Sequence, residues 1–149
     1  AAPPLIGWTA SADNLAWPGL LLFGVLFIWQ IPHFLAISLY RRTEYERAGI
    51  LVWPVARGDA ATKRLAIAYS TALIPCSLAL TLVDAAGLFY FAVALPTGLW
   101  FWAVTMRGFK EDVRVTKWAR QLFIASLIYL PIIMFGLGFD RIMNVVLNP

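Results

Sequence analysis

The sequence predicts an all-α fold, a polytopic transmembrane helical bundle with four spans. Three observations lead there. Of 149 residues, 61% are hydrophobic and only 13% charged, with a mean hydropathy of +0.75. A soluble domain carries about 25% charged residues, so this chain has too little polar surface to cover a core of its own size. Four apolar runs, at about 18–40, 65–83, 88–106 and 122–139, hold no charged residue and approach or exceed the ~20 residues a helix needs to cross a bilayer. Finally, eleven of the twelve Lys and Arg fall on two segments, 41–64 and 107–120.

The runs lack polar/apolar alternation and exceed the ~10 residues of a barrel strand, and lipid leaves no partner for an unpaired backbone group. Each is therefore read as a helix. The first contains Phe-Ile-Trp-Gln-Ile-Pro-His-Phe at 27–34. Pro32 removes a backbone donor and predicts a kink, freeing a carbonyl about one turn earlier. Gln30 and His33 then lie inside the apolar run, His33 roughly 10 Å from its end at 1.5 Å per residue. An ionisable group at that depth is either functional, facing the bundle or a cavity, or a neutral imidazole hydrogen-bonded to a neighbouring helix. A single His excludes two-His haem ligation within one copy, whereas a His/Met pair with Met106, Met134 or Met143 stays open. The second and third runs are joined by Asp84-Ala-Ala-Gly87, which predicts a tight antiparallel hairpin. Cys76, the one cysteine, sits in an apolar run and reads as a small buried hydrophobe. Trp17, Tyr40, Tyr69 and Trp118 lie near span ends, where interfacial anchors collect. A Walker loop, a His-Glu-x-x-His pair and a plausible Ser-His-Asp set are absent from the sequence.

Alternation of four spans puts the two basic segments on one side, which the positive-inside rule makes cytoplasmic, with both chain ends outside. This placement accounts for the net charge of +4 without nucleic acid: the charge orients the protein and meets anionic lipid. In the first basic loop, Glu44 and Glu46 sit among Arg41, Arg42 and Arg47. Mg²⁺ binds through one or two carboxylates plus substrate phosphates, and Arg forks clamp phosphate oxygens, so the loop suits a diphosphate leaving group. The plainer reading is a topology-setting, lipid-facing loop with surface ion pairs, and both stand for 107–120 as well. Arg57-Gly58-Asp59 reads as a turn. The opening Ala-Ala-Pro-Pro, without an initiator Met or signal-peptide layout, reads as part of a longer chain.

The runs WQIPHFLAISLYR (29–41), EYERAG (44–49) and PVARG (54–58), with AAPPLIGW (1–8) and KWARQLFIASLIYL (117–130) in the same order, resemble the protohaem IX farnesyltransferase (haem O synthase) branch of the intramembrane UbiA-type prenyltransferases. The likeness spans nearly the whole chain. It implies a nine-helix fold around a cavity, of which residues 1–149 are the C-terminal part of one domain, beginning near the end of the fifth helix. It implies farnesyl transfer from farnesyl diphosphate to a vinyl group of haem b, giving haem o, in a bacterial inner (plasma) membrane. Mg²⁺ is the implied cofactor, and haem A synthase or terminal oxidase assembly an implied association. This length of chain alone is then inactive.

By the same resemblance Glu44 and Tyr45 stand where the family usually has an Asp-Tyr pair, with Glu44 toward the Mg-diphosphate. Arg41 and Arg57 fall near the diphosphate, and His33 and Gln30 near the haem. The departures are Glu for Asp at 44, Leu51-Val52-Trp53 for Pro-Met-Leu, and Ile31 for a second Pro. The competing readings are a related enzyme with a quinone precursor or chlorophyllide as acceptor, and a non-catalytic four-span haem-binding, assembly or transport protein. Charge-free spans argue against an ion pathway.

Overall fold

The computed structural model describes residues 17–109 and 114–147. Within them the elements are α1 (Trp17–Tyr40), α2 (Arg42–Arg47), α3 (Trp53–Leu82), α4 (Leu88–Met106), a short 3₁₀ turn (Arg107–Phe109) and α5 (Val115–Leu147). The opening segment 1–8 and Lys110 lie outside the described residues. Four helices are long and apolar enough to cross a membrane. The long helices alternate in direction around a ring: α1 packs on α3 and α5, and α4 packs on the same two.

The first and third spans match their expected bounds closely. The second and fourth are longer than expected, because α3 begins at Trp53 rather than 65 and α5 runs from Val115 to Leu147 rather than 122–139. Charged residues do not end a helix once it leaves the apolar layer; they mark only where lipid stops. The segment 41–64 is therefore mostly helical rather than a loop, with the one non-helical residue inside α3 at Gly58 (φ 80°, ψ 171°). The turn expected at Arg57-Gly58-Asp59 is present there. α1 continues through Pro32, which is buried, and each of the other long helices also carries one internal Pro, at 75, 96 and 131.

Two helix ends close in the same way. After α2, Gly49 takes φ 67°, the Gly49 amide donates to the Glu46 carbonyl (3.2 Å) and the Ile50 amide to that of Tyr45 (2.9 Å). After α3, Asp84 takes φ 57°, with the Asp84 amide on the Thr81 carbonyl (3.3 Å) and the Ala85 amide on that of Leu80 (3.0 Å). This crossed pair of bonds satisfies the orphan carbonyls of a helix end and requires a left-handed residue. Asp84 is among the few non-glycines that tolerate it. It turns the chain into the α3–α4 hairpin expected from Asp84–Gly87.

The core is aromatic and small: Trp118, Tyr90, Tyr129 and Phe101 are its largest fully buried side chains, with Ala36, Ala66, Ala94, Ala119 and Ala125 allowing the helices to approach. Without a hydrophobic driving force between helices in lipid, this packing and a few polar ties hold the bundle. Trp118 is not the interfacial anchor its position suggests. It is 1% exposed and its Nε1–H donates to the Val104 carbonyl (3.1 Å). Its ring fills the space beside Gly108, where an added Cβ would lie 2.3 Å from the indole. Cys76 is half-buried, its Sγ against the α1 backbone at Gly24 and Leu21.

Gly108→Ala is expected to destabilise the bundle by about 1–3 kcal/mol through overpacking against Trp118. Gly49→Ala, where an added Cβ meets nothing within 4 Å, should cost only the left-handed penalty of about 1 kcal/mol. Thermal unfolding of both variants in a bilayer mimetic checks the order.

Candidate functional site

Polar chemistry collects at one end of the ring and along one seam. The C-terminus of α1, the N-terminus of α3, the C-terminus of α4 and the N-terminus of α5 share an end, as contacts between Arg42 and Asp59 and between Trp118 and Val104 require. Both basic segments therefore lie together, as alternation predicted. The opposite end is closed by Asp140. Its carboxylate, 5% exposed, accepts from the amides of Gly87 (2.5 Å) and Tyr90 (3.3 Å), capping the N-terminus of α4, where the helix dipole favours negative charge. A cavity of about 240 Å³ lies at this end, lined by Pro18, Leu22, Leu80, Asp84, Ala85, Leu137 and Arg141, away from the residues singled out in the sequence.

At the charged end, Arg41 Nη1 donates to Glu44 Oε1 (2.5 Å) across one turn, both side chains more than half exposed. Arg42 bridges two carboxylates, donating from Nε to Glu46 (2.7 Å) and from Nη1 to Asp59 (2.6 Å). The two pairs push the Arg42 guanidinium further above its already high range, chiefly through its hydrogen bonds to Glu46 and Asp59. Such surface pairs add little to stability; their effect is to tie α2 to the first turns of α3. Tyr45 is half-buried beside them. Arg57 stands apart: its guanidinium lies over the Trp53 ring, 5.7 Å from the centroid, and pairs with no carboxylate among the described residues. Of the expected diphosphate group, Arg41 and Glu44 are thus together and Arg57 is not in contact with them.

The seam between α1 and α5 is built on Ser126. The Trp29 indole N–H donates to the Ser126 carbonyl (2.9 Å), and His33 Nδ1 lies 2.8 Å from Ser126 Oγ. The Ser126 hydroxyl spends its one hydrogen on the Phe123 carbonyl (2.6 Å), so His33 must be the donor to it. The imidazole proton is then on Nδ1 and Nε2 carries the lone pair. The ring is stacked on Trp29 (centroids 4.8 Å) and flanked by Phe123 (5.2 Å) and Phe34 (5.6 Å). Of the two readings left open for His33, the hydrogen bond to a neighbouring helix is present, and Nε2 makes no hydrogen bond to a described residue. Gln30, one turn earlier and half-buried, makes no side-chain hydrogen bond to a described residue.

Sequence reasoning missed Ser126 as the shared partner of His33 and Trp29, and Arg42 with Asp59 as the bridge from α2 to α3. The separations of 93, 97 and 17 residues carry no local signal. Among the described residues no group of three or more His, Cys, Asp or Glu lies close enough to enclose a metal ion.

Residues 1–127 match the model of the UbiA prenyltransferase family. The chain belongs to that family. Among its relatives, protoheme IX farnesyltransferase of Sorangium cellulosum (strain So ce56) is 42% identical over 137 residues, 92% of this chain and 49% of that protein. The enzyme of the same name from Myxococcus xanthus (strain DK1622) is 42% identical over 95% of this chain and 48% of its own length. That of Alkalihalophilus pseudofirmus is 44% identical over 89% and 41%. The chain spans about half the length of these curated relatives. No solved structure matches. The family and the four spanning helices make this an integral membrane protein.

Nitrogen NMR of labelled histidine in bilayers should find His33 neutral, with Nδ1 protonated and Nε2 bare. Ser126→Ala should abolish that preference, and a proton on Nε2 in the unaltered protein would contradict the assignment.

Proposed function

We propose that the full-length protein transfers a farnesyl group from farnesyl diphosphate to a vinyl side chain of haem b, forming haem o, in a bacterial inner membrane with its basic ends in the cytoplasm. The observation that carries this reading is 42% identity over 92% of the chain to a relative named for that activity. The segregation of charge supports it: a cationic, carboxylate-bearing end suits a diphosphate, and an aromatic seam beneath it suits a flat apolar acceptor.

The reaction is driven by loss of the diphosphate, so the protein must stabilise charge on the leaving oxygens while keeping water from a farnesyl cation. Arg41 is held in place by Glu44. A phosphate oxygen that takes over its guanidinium releases the Glu44 carboxylate. Tyr45 then turns its hydroxyl to the same group, and Arg57, stacked on Trp53 and free of carboxylates, swings to a second phosphate oxygen. The carboxylates of Glu44, Glu46 and Asp59 are the oxygen donors Mg²⁺ takes. With no enclosing group of three among the described residues, they fit an ion shared with the diphosphate and with ligands from elsewhere in the protein, Glu44 being the one to hold it. When bound, Mg²⁺ neutralises the developing charge on the diphosphate. About 10 to 15 Å along α1 from its Tyr40 end, at ~1.5 Å per residue, His33 and Gln30 face the haem.

The test offers the full-length protein haem b and a quinone precursor side by side with farnesyl diphosphate. Haem b alone should be consumed, and Glu44→Gln should lower kcat/KM for farnesyl diphosphate by about a hundredfold while leaving haem affinity unchanged. Consumption of the quinone precursor instead would overturn the acceptor assignment.

A further inference from the structure

Between the end residues Trp17 and Tyr40 of the first span, four side chains can hydrogen-bond: Trp29, Gln30, His33 and Ser38. Ser38 turns its hydroxyl back onto the Phe34 carbonyl (2.8 Å), and Trp29 is committed to Ser126. That leaves two unused functions, the Gln30 carboxamide and the lone pair on His33 Nε2. Residues three apart on a helix are neighbours on one face, ~5–6 Å between Cβ atoms, so Gln30 and His33 share one face of α1. The His33 ring cannot readily turn over to use its other nitrogen, because it is stacked on Trp29 and its Nδ1–H is fixed by Ser126.

We propose that Gln30 and His33 form a water-activating pair, with Gln30 seating one water and His33 Nε2 taking its proton, and that Ser126 is the positioning residue that holds the base in that tautomer. This rests on the farnesyl-transfer reading. In that reaction the C–O bond to diphosphate breaks with its electron pair leaving on oxygen, and the vinyl π electrons form the new carbon–carbon bond to farnesyl. A cation then remains on the vinyl carbon next to the macrocycle. The water oxygen bonds to that carbon as one of its hydrogens passes to His33 Nε2, leaving a neutral alcohol. The competing fate is loss of a proton from the adjacent CH₂, which gives an alkene lighter by one water. A cavity that excludes bulk water to protect the first cation must still admit one water to the second, and a lone polar pair among aromatic rings does that without hydrating the rest.

The experiment is mass analysis of the product made by the full-length enzyme from haem b and farnesyl diphosphate in heavy-oxygen water. The unaltered enzyme should give the hydroxylated product carrying one labelled oxygen. In His33→Ala and Gln30→Leu the dehydrated share should rise about tenfold or more, in keeping with the ~10²–10⁴ that a positioned base supplies. Ser126→Ala should shift it less and Ser126→Thr should restore it, a change of product that simple loss of stability does not produce. Should His33→Ala fail to accumulate, Gln30→Leu, which breaks no bond within the described bundle, decides the matter. A hydroxylated product in unaltered proportion from Gln30→Leu, however slowly made, overturns the proposal. Absence of any farnesylated haem from the unaltered enzyme would instead overturn the reading on which it rests.

Discussion

A polar group inside a bilayer has no solvent to fall back on, and the arrangement of this bundle follows from where its few polar groups find partners. Among the described residues, three of the four seams around the ring carry N–H or O–H hydrogen bonds between helices, and the fourth, α1–α3, has the long Cys76 Sγ contact to the Leu21 carbonyl (4.0 Å). α1 and α5 are joined through Trp29, His33 and Ser126. α3 and α4 are joined by Ser70 with Thr105 (3.1 Å), Tyr90 on the Ser77 carbonyl (3.2 Å) and Trp102 on Thr71 (3.0 Å). α4 and α5 are joined at one end by Asp140 on the Gly87 and Tyr90 amides and at the other by Trp118 on the Val104 carbonyl. Side-chain ties between membrane helices average only about 0.6 kcal/mol, so their weight lies in register rather than bulk stability: slide α5 by one residue and its bonds to α1 and α4 cannot form. Dispersion among Trp118, Tyr90, Tyr129 and Phe101 supplies the cohesion.

Register is also what makes the chemistry available. With α5 fixed at both ends against α4, Ser126 comes to rest opposite His33, and a residue that the sequence leaves as a lone imidazole becomes one with a defined proton and a defined lone pair. The charged end is organised differently. There α2 is a single short helix whose arginines are shared among Glu44, Glu46 and Asp59, and its pairs are exposed enough to be exchanged for a ligand. Pairing is thus rigid within the apolar layer and exchangeable at its edge.

The spans were legible because composition and charge placement speak directly to lipid. Helix ends were less so: Trp53–Arg64 and Val115–Gln121 are helical, yet charge there reads as loop, since hydropathy reports the membrane and not the backbone. The Gly58 break was visible as a turn, because glycine between Arg57 and Asp59 is a local signal. Trp118 was misread because an aromatic at a span end looks the same in sequence whether it faces lipid headgroups or the gap beside Gly108. Of the candidate residues, Arg41 and Glu44 are three apart and their pairing is local. The ties of His33 and Trp29 to Ser126 and the Asp140 cap span 50 to 97 positions, and only the folded ring brings them together.

We propose that the α1 face carrying Gln30 and His33 seats the acceptor. It is tested most directly by thiol labelling of the full-length protein in bilayers with a membrane-permeant reagent, on Gln30→Cys and, for comparison, Phe135→Cys on the exposed face of α5 (78% exposed). Haem b should slow labelling at position 30 several-fold and leave position 135 unchanged. Equal rates at position 30 with and without bound haem would contradict it.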